Sequence, residues 1–201
     1  MPSLVDPNDH DVFILRQRIK LVINQYEFFL PSAGGELGQP ICFVEQKRFK
    51  FKEDIRFYTD ETKTQELLRI KARQRFDPRA TYDVTGADGR KIGEIKKVFG
   101  ASLFRSTWTM ASPNLQARGQ ERRLFIAILR RIWDLIPYLG DIWVPFVFHF
   151  DFADTTTGQP VMTSERQKAI RDRYTITVDD QRLDFRLAAA MAVALDALQS
   201  R

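Results

Sequence analysis

The sequence predicts a mainly β fold with some α: about twelve strands forming a barrel around an apolar C-terminal helix, plus an inserted amphipathic helix. Three observations lead there. Short segments of alternating apolar and polar residues, separated by turn signals, recur from residue 12 to residue 178. The run Leu187 to Leu195 is apolar on every side and rich in alanine, so it should be surrounded rather than lie on a surface. Finally, a helix about 10 Å across needs a wall of roughly eleven strands. About 145 residues at roughly 12 per strand and turn supply about twelve.

The elements follow in chain order. Residues 1–10 are polar and read as a flexible tail, and 11–201 as a single domain. Phe13-Ile14-Leu15, Ile19 to Ile23 and Tyr26 to Phe29 open the strands, and Pro31 to Pro40, with Gly34, Gly35 and Gly38, reads as a turn or short loop. Ile41 to Glu45 resumes a strand. In Arg48-Phe49-Lys50-Phe51-Lys52 the period is two, with both Phe on one side and the cations on the other. Asp60 to Thr64 is a polar turn, and Leu68 to Arg73 alternates again with its cations outward. Ala80 to Thr85 and Lys91 to Val98 flank Asp88-Gly89, a strong hairpin signal.

The pattern then changes. Gln120 to Ile136 places Phe125, Ile126, Leu129, Ile132, Trp133 and Ile136 at helical spacing, which marks 118–140 as a helical insertion ended by Pro137. Phe146, Phe148, Phe150 and Phe152 return to strand period, and Ala169 to Val178 reads as the last strand. The central helix is placed at 181–199, with Asp179 or Asp180 as its N-cap. Its alanines at 188, 189, 190, 192, 194 and 197 keep it thin. At nine residues, the apolar run Leu187 to Leu195 covers only about half of a hydrocarbon core.

Composition narrows the class. The first residues lack a basic stretch followed by an apolar one, so no signal peptide is expected. The single Cys42 has no internal disulfide partner and sits in an apolar run; it reads as a small core residue in a reducing, cytoplasmic setting. The net charge of +5 is uneven, with 19 Lys/Arg against 12 Asp/Glu between Arg16 and Arg105. That favours acidic partners.

Two surfaces stand out as candidate sites. Arg48, Lys50 and Lys52, with Arg69, Lys71, Arg73 and Arg75, occupy alternate positions, so paired strands can gather them into a patch for anionic headgroups. An ordinary polar barrel exterior has the same pattern. Arg122, Arg123, Arg130 and Arg131 beside Trp133, Tyr138 and Trp143 suit a membrane interface or a partner groove; packing against the barrel is the commoner use of such a helix. His149 and Asp151 share a strand face, but two ligands are too few for a metal. No Ser-His-Asp order, glycine-rich phosphate loop or Cys/His cluster is visible, so no catalytic residue, metal or cofactor is expected.

Three stretches carry a resemblance. They are Phe13-Ile14-Leu15-Arg16-Gln17-Arg18; Tyr82 to Gly89 continuing through Ile92 to Lys97 and Phe104 to Trp108; and Arg171 to Tyr174 with Leu183 to Leu187 running into the alanine-rich helix. In this order they resemble the LURP-one-related family, which shares the tubby C-terminal-like barrel with the phospholipid scramblases. The resemblance implies a twelve-stranded barrel around a hydrophobic C-terminal helix. Tubby proteins bind phosphoinositides through cationic side chains, and scramblases act at membranes with a calcium-binding segment and palmitoylated cysteines. This chain departs from the scramblases in having one cysteine and no run of spaced acidic ligands before its last helix.

The resulting expectation is a non-enzymatic binding module, cytoplasmic or peripheral to a membrane, that recognises anionic phospholipid. The alternative is a protein–protein scaffold or oligomer using the helical insertion. A carrier or enzyme working in one barrel end is disfavoured because the helix fills the lumen. Nucleic acid is disfavoured because the aromatics between the cations point inward, away from stacking positions.

Overall fold

The computed structural model describes residues 6–19, 23–47, 54–74, 81–98, 107–121, 149–167 and 173–198. Twelve strands among them form a closed barrel: β1 (Val12–Ile19), β2 (Ile23–Pro31), β3 (Leu37–Lys47), β4 (Asp54–Tyr58), β5 (Glu66–Ala72), β6 (Thr81–Gly86), β7 (Lys91–Val98), β8 (Thr107–Ser112), β9 (Leu115–Glu121), β10 (His149–Asp154), β11 (Pro160–Arg166) and β12 (Arg173–Val178). Every pairing is antiparallel between neighbours in sequence, and β1 closes the ring on β12 with Phe13 opposite Ile176. A closed meander removes sheet edges altogether.

Each strand sends alternate residues into the lumen. Phe13 and Leu15, Phe28 and Leu30, Cys42 and Val44, Ile55 and Phe57, Leu68 and Ile70, and Phe150 and Phe152 form one continuous buried cluster. Helix α1 (Phe185–Ala197) lies at its centre, buried from Leu187 through Leu195. Sequestering Leu187, Met191, Val193 and Leu195 contributes roughly 1.5–3 kcal/mol each, while the alanines let the wall close in. Phe185 anchors the entry, with its ring 4.6 Å from that of Phe13 and 6.0 Å from that of Phe28.

Two inward glycines allow the closest approaches. A Cβ on Gly93 would stand 2.5 Å from the Ala111 carbonyl oxygen and 2.9 Å from the Leu187 side chain. On Gly119 it would run into the ring of Phe152 at 2.3–2.5 Å. Here the missing side chain provides packing space.

Several boundaries differ from the sequence reading. The helix begins at Phe185, capped by Asp184, whose carboxylate accepts the Arg186 N–H at 2.8 Å. Asp180 instead closes the preceding turn by accepting the Arg182 N–H at 2.9 Å, so 181–184 is not helical. Strand β9 runs to Glu121, so 118–121 belong to the barrel and not to an inserted helix; Phe152 packing over Gly119 holds them there. The 122–140 part of that insertion lies outside the described residues. Leu37 to Pro40 are strand, leaving a tight turn at 32–36 with Gly34 and Gly35 at positive φ. Pro7–Asp9 form a short 3-10 turn, and Asn8 Oδ1 accepts the Phe185 N–H at 2.8 Å, tying this segment to the helix start. No helix among the described residues is long and apolar enough to cross a membrane.

Candidate functional site

Strands β4 to β7 carry the cations that the sequence singled out, and the structure gives most of them acidic partners. Register sets Asp54 opposite Lys71, Arg56 opposite Arg69, Lys71 opposite Asp83 and Asp83 opposite Glu94 on the outer face. Arg69 makes a two-pronged pair with Asp54 through Nε and Nη2. Arg73 donates to both carboxylate oxygens of Asp83, at 2.7 and 2.8 Å, and also to Glu94. Lys91 Nζ bridges Asp83 at 3.0 Å and Glu94 at 2.8 Å. The Arg73 hydrogen bonds are the main reason Asp83 is held down to about 2, and the same bonds raise the Arg73 guanidinium. Seven cations (Arg56, Arg69, Lys71, Arg73, Lys91, Lys96, Lys97) thus stand on β4 to β7 and just past β5 with four carboxylates (Asp54, Glu66, Asp83, Glu94), a net charge of +3.

Lys71 and Lys96 differ from these. Both are exposed near the ends of their strands, and neither has an ion-pair partner among the described residues. Of the other cations named from sequence, Arg48, Lys50, Lys52 and Arg75 lie outside the described residues. So do all the interface candidates: Arg122, Arg123, Arg130, Arg131, Trp133, Tyr138 and Trp143. His149 is buried and Asp151 half-buried on adjoining outward positions of β10, and no group of three metal-ligating side chains occurs among the described residues.

An acidic barrel end was not anticipated. Connections of a meander alternate between ends, and those beside the helix N-terminus are 6–11, 32–36, 59–65, 87–90, 113–114, 155–159 and 179–184. They hold ten Asp/Glu against three Lys/Arg, a net of −7. Because the whole chain is +5, the remainder is +12. The strands and helix carry only +2 of that, and most of the rest belongs to residues outside the described ones. Locating the acidic end requires knowing which turns share an end, which sequence periodicity alone does not give.

A second unanticipated feature lies inside the barrel, where α1 ends. The Asp196 carboxylate accepts hydrogen bonds from Gln17 Nε2 at 2.6 Å and Tyr26 Oη at 2.8 Å, and Tyr174 lines the same small cavity. An acid in the last helical turn opposes the helix dipole, a signal already present in the sequence. Burial first, and the neighbouring Asp196 second, push both phenols well above their ordinary range. Beside them a cavity of about 20 Å³, lined by Ser164, Tyr174, Ala192 and Asp196 among others, has room for about one water. The group pins the helix at its far end.

Comparison with family models matches residues 40–196 to LURP-one-related proteins. The chain belongs to the LURP-one-related family. The matched range takes in β4 to β12 and nearly all of α1, while β1, β2 and the first residues of β3 precede it and complete the ring. No match was found among curated proteins or solved structures. For this LURP-one-related chain, family membership therefore fits the plugged barrel and leaves its ligand to be argued from charge and shape.

Proposed function

We propose that this LURP-one-related protein is a non-enzymatic binding module that recognises anionic phospholipid at a membrane surface, as a cytoplasmic protein that associates peripherally. The observation that carries the reading is the uneven charge, −7 in the connections at the helix N-terminal end against +12 for the rest of the chain. Each cation brought to an anionic surface contributes about 1 kcal/mol. Most cations of the β4 to β7 wall are ion-paired, so the reading draws on the larger excess of Lys and Arg in the rest of the chain. Lys71 and Lys96 are the described residues best placed to contribute. The helix occupying the lumen supports a ligand outside the barrel rather than within it.

A second reading, a protein partner, is favoured by the interleaved signs on β4 to β7, because alternating charges match another protein face better than a uniformly negative one. Sedimentation with vesicles containing 30 mol% phosphatidylserine, at low and high salt, separates the two. Binding that weakens with salt, and falls further in Lys50→Glu/Lys71→Glu, supports lipid recognition. Unchanged binding in that variant, or none at either salt, contradicts it; a concentration-dependent rise in mass without lipid binding supports the protein reading.

A further inference from the structure

We propose that three outward residues in one cross-strand line, Lys96 on β7, Thr109 on β8 and Arg118 on β9, form a site for a phosphate monoester, the terminal phosphate of a lipid headgroup. This rests on the lipid reading above and adds to it the residues that take the headgroup and the kind of phosphate they prefer.

Register makes the line. Lys96 stands opposite Thr109, Thr109 opposite Arg118, and Arg118 opposite Ala153. Their chain neighbours Ile95, Met110 and Ala117 are buried in the core, so the three residues point out of the barrel. Neighbouring strands lie about 4.8 Å apart, which puts the Lys96 and Arg118 backbones about 10 Å from each other with Thr109 midway. Two long side chains thus flank a short hydroxyl, and both can lean over it onto one anion. Lys96 and Arg118 are exposed, and Thr109 is half-buried.

Charge sets this line apart from the strands before it. Arg69 and Arg73 are tied to Asp54 and Asp83, whereas neither Lys96 nor Arg118 has an ion-pair partner among the described residues. No outward position of β8 or β9 carries a carboxylate. Glu94, the acid of β7, is already held by Arg73 and by Lys91 at 2.8 Å. On its other side Arg118 opens onto a groove of about 640 Å³ that Gln120, Ala153 and Thr155 also line. The acids of that groove are engaged or turned away. Asp154 binds Arg182 at 2.7 Å, Glu121 is buried on the inward face, and half-buried Asp151 has an interaction of its own.

The donors fit a phosphate. A guanidinium offers a planar fork that matches two phosphate oxygens, an ammonium adds a compact charge, and a hydroxyl adds one more donor. A monoester phosphate carries about −1.5 to −2 charges at neutral pH, which two cations match. The diester phosphate of phosphatidylserine carries a single charge, so the monoester is preferred. Small-molecule sites enclose most of their ligand. An exposed wall does not, and it suits a phosphate presented by a surface better than a free ion.

The test measures sedimentation of the full chain with two vesicle preparations: 30 mol% phosphatidylserine, and 20 mol% phosphatidylserine with 10 mol% phosphatidic acid. Amide NMR spectra with inorganic phosphate are recorded beside it. The expected result is several-fold tighter binding to the phosphatidic acid vesicles. That preference should vanish in Arg118→Gln and Lys96→Gln and shrink in Thr109→Val, all with wild-type thermal melts. It should persist in Arg56→Gln, which removes a paired cation from the neighbouring wall. An equal loss in Arg56→Gln contradicts the site, because charge alone would then set the preference. Equal binding to both vesicles, with no phosphate-induced shift at the Thr109 and Arg118 amides, overturns the site and leaves the lipid reading standing. Shifts that disappear in Arg118→Gln, without any vesicle preference, keep the phosphate site and overturn its lipid source. Absence of both sedimentation and shifts overturns the site and the lipid reading together.

Discussion

On β5, Leu68 and Ile70 point into the barrel and are fully buried, while their neighbours Arg69 and Lys71 stand on the outer wall. The same alternation runs through β4, where Ile55 and Phe57 face inward and Asp54 and Arg56 outward. Inside, apolar side chains of the strands close on a buried helix. Outside, charges of both signs are wet and mostly paired, with Lys71 and Lys96 among the exceptions. The two faces share one backbone and one register, so a one-residue slip would exchange them completely. The inner face therefore fixes the fold, and the outer face is free to carry recognition.

The sharpest way to break this contrast is to place a charge in the inner layer. Ala190→Asp or Ala194→Asp buries a carboxylate at positions with no measurable exposure, and the domain should be unfolded at room temperature by circular dichroism. A folded variant would mean that the lumen is wetter or looser than described.

Next in size is Gly119→Val. Its side chain must displace the Phe152 ring, itself buried, and should cost about 1–3 kcal/mol in urea unfolding. A neutral result would show that the ring can move, and that the inner layer tolerates changes as the outer one does.

The Asp196 group sharpens the comparison by placing polar chemistry on the inner side. Asp196→Ala strands the Tyr26 hydroxyl and Gln17 amide and should cost about 1–3 kcal/mol. The raised phenols of Tyr26 and Tyr174 predict a pH dependence as well. Their pKa values are higher folded than unfolded, so the stability they contribute is fully present below the ordinary value of 10.0 and is lost as pH rises above it. Stability measured from pH 8 to 11 should fall at the alkaline end, and Tyr26→Phe should flatten that fall.

The smallest effect belongs to the wall. Arg73→Ala removes three ion-pair contacts of an exposed guanidinium and should cost less than about 1 kcal/mol. Asp83 is held low, so the little stability it supplies is present above the usual carboxylate pKa of 3.8 and lost as pH falls toward 2. A loss comparable to that of Gly119→Val would mean that the ion pairs help to hold the barrel.

These contrasts also mark how far the sequence could be read. Alternation at Leu68 to Arg73 and the Asp88-Gly89 turn gave strands and hairpin directly, because their periodicity is local. The alanine-rich helix was legible as core for the same reason. The end of β9 was not: Gln120 and Glu121 fit a helical wheel as well as a strand, and only pairing with Phe150 and Asp151 decides between them. Nor were the partners of Arg69 and Arg73, since Asp54 and Asp83 lie more than nine residues away and reach them through strand register. Among the candidate residues, the sequence located the cations but not the carboxylates that neutralise them.

Hydrogen exchange of the α1 amides tests the central claim, that this helix is the barrel's interior core, most directly. A helix enclosed by twelve strands exchanges only when the whole domain opens, so protection from Leu187 to Leu195 should equal the global unfolding free energy and vary with urea at the global slope. Exchange that is fast, or insensitive to urea, would mean that the helix leaves the barrel without unfolding it. That result would contradict the account and put the apolar helix back within reach of a membrane.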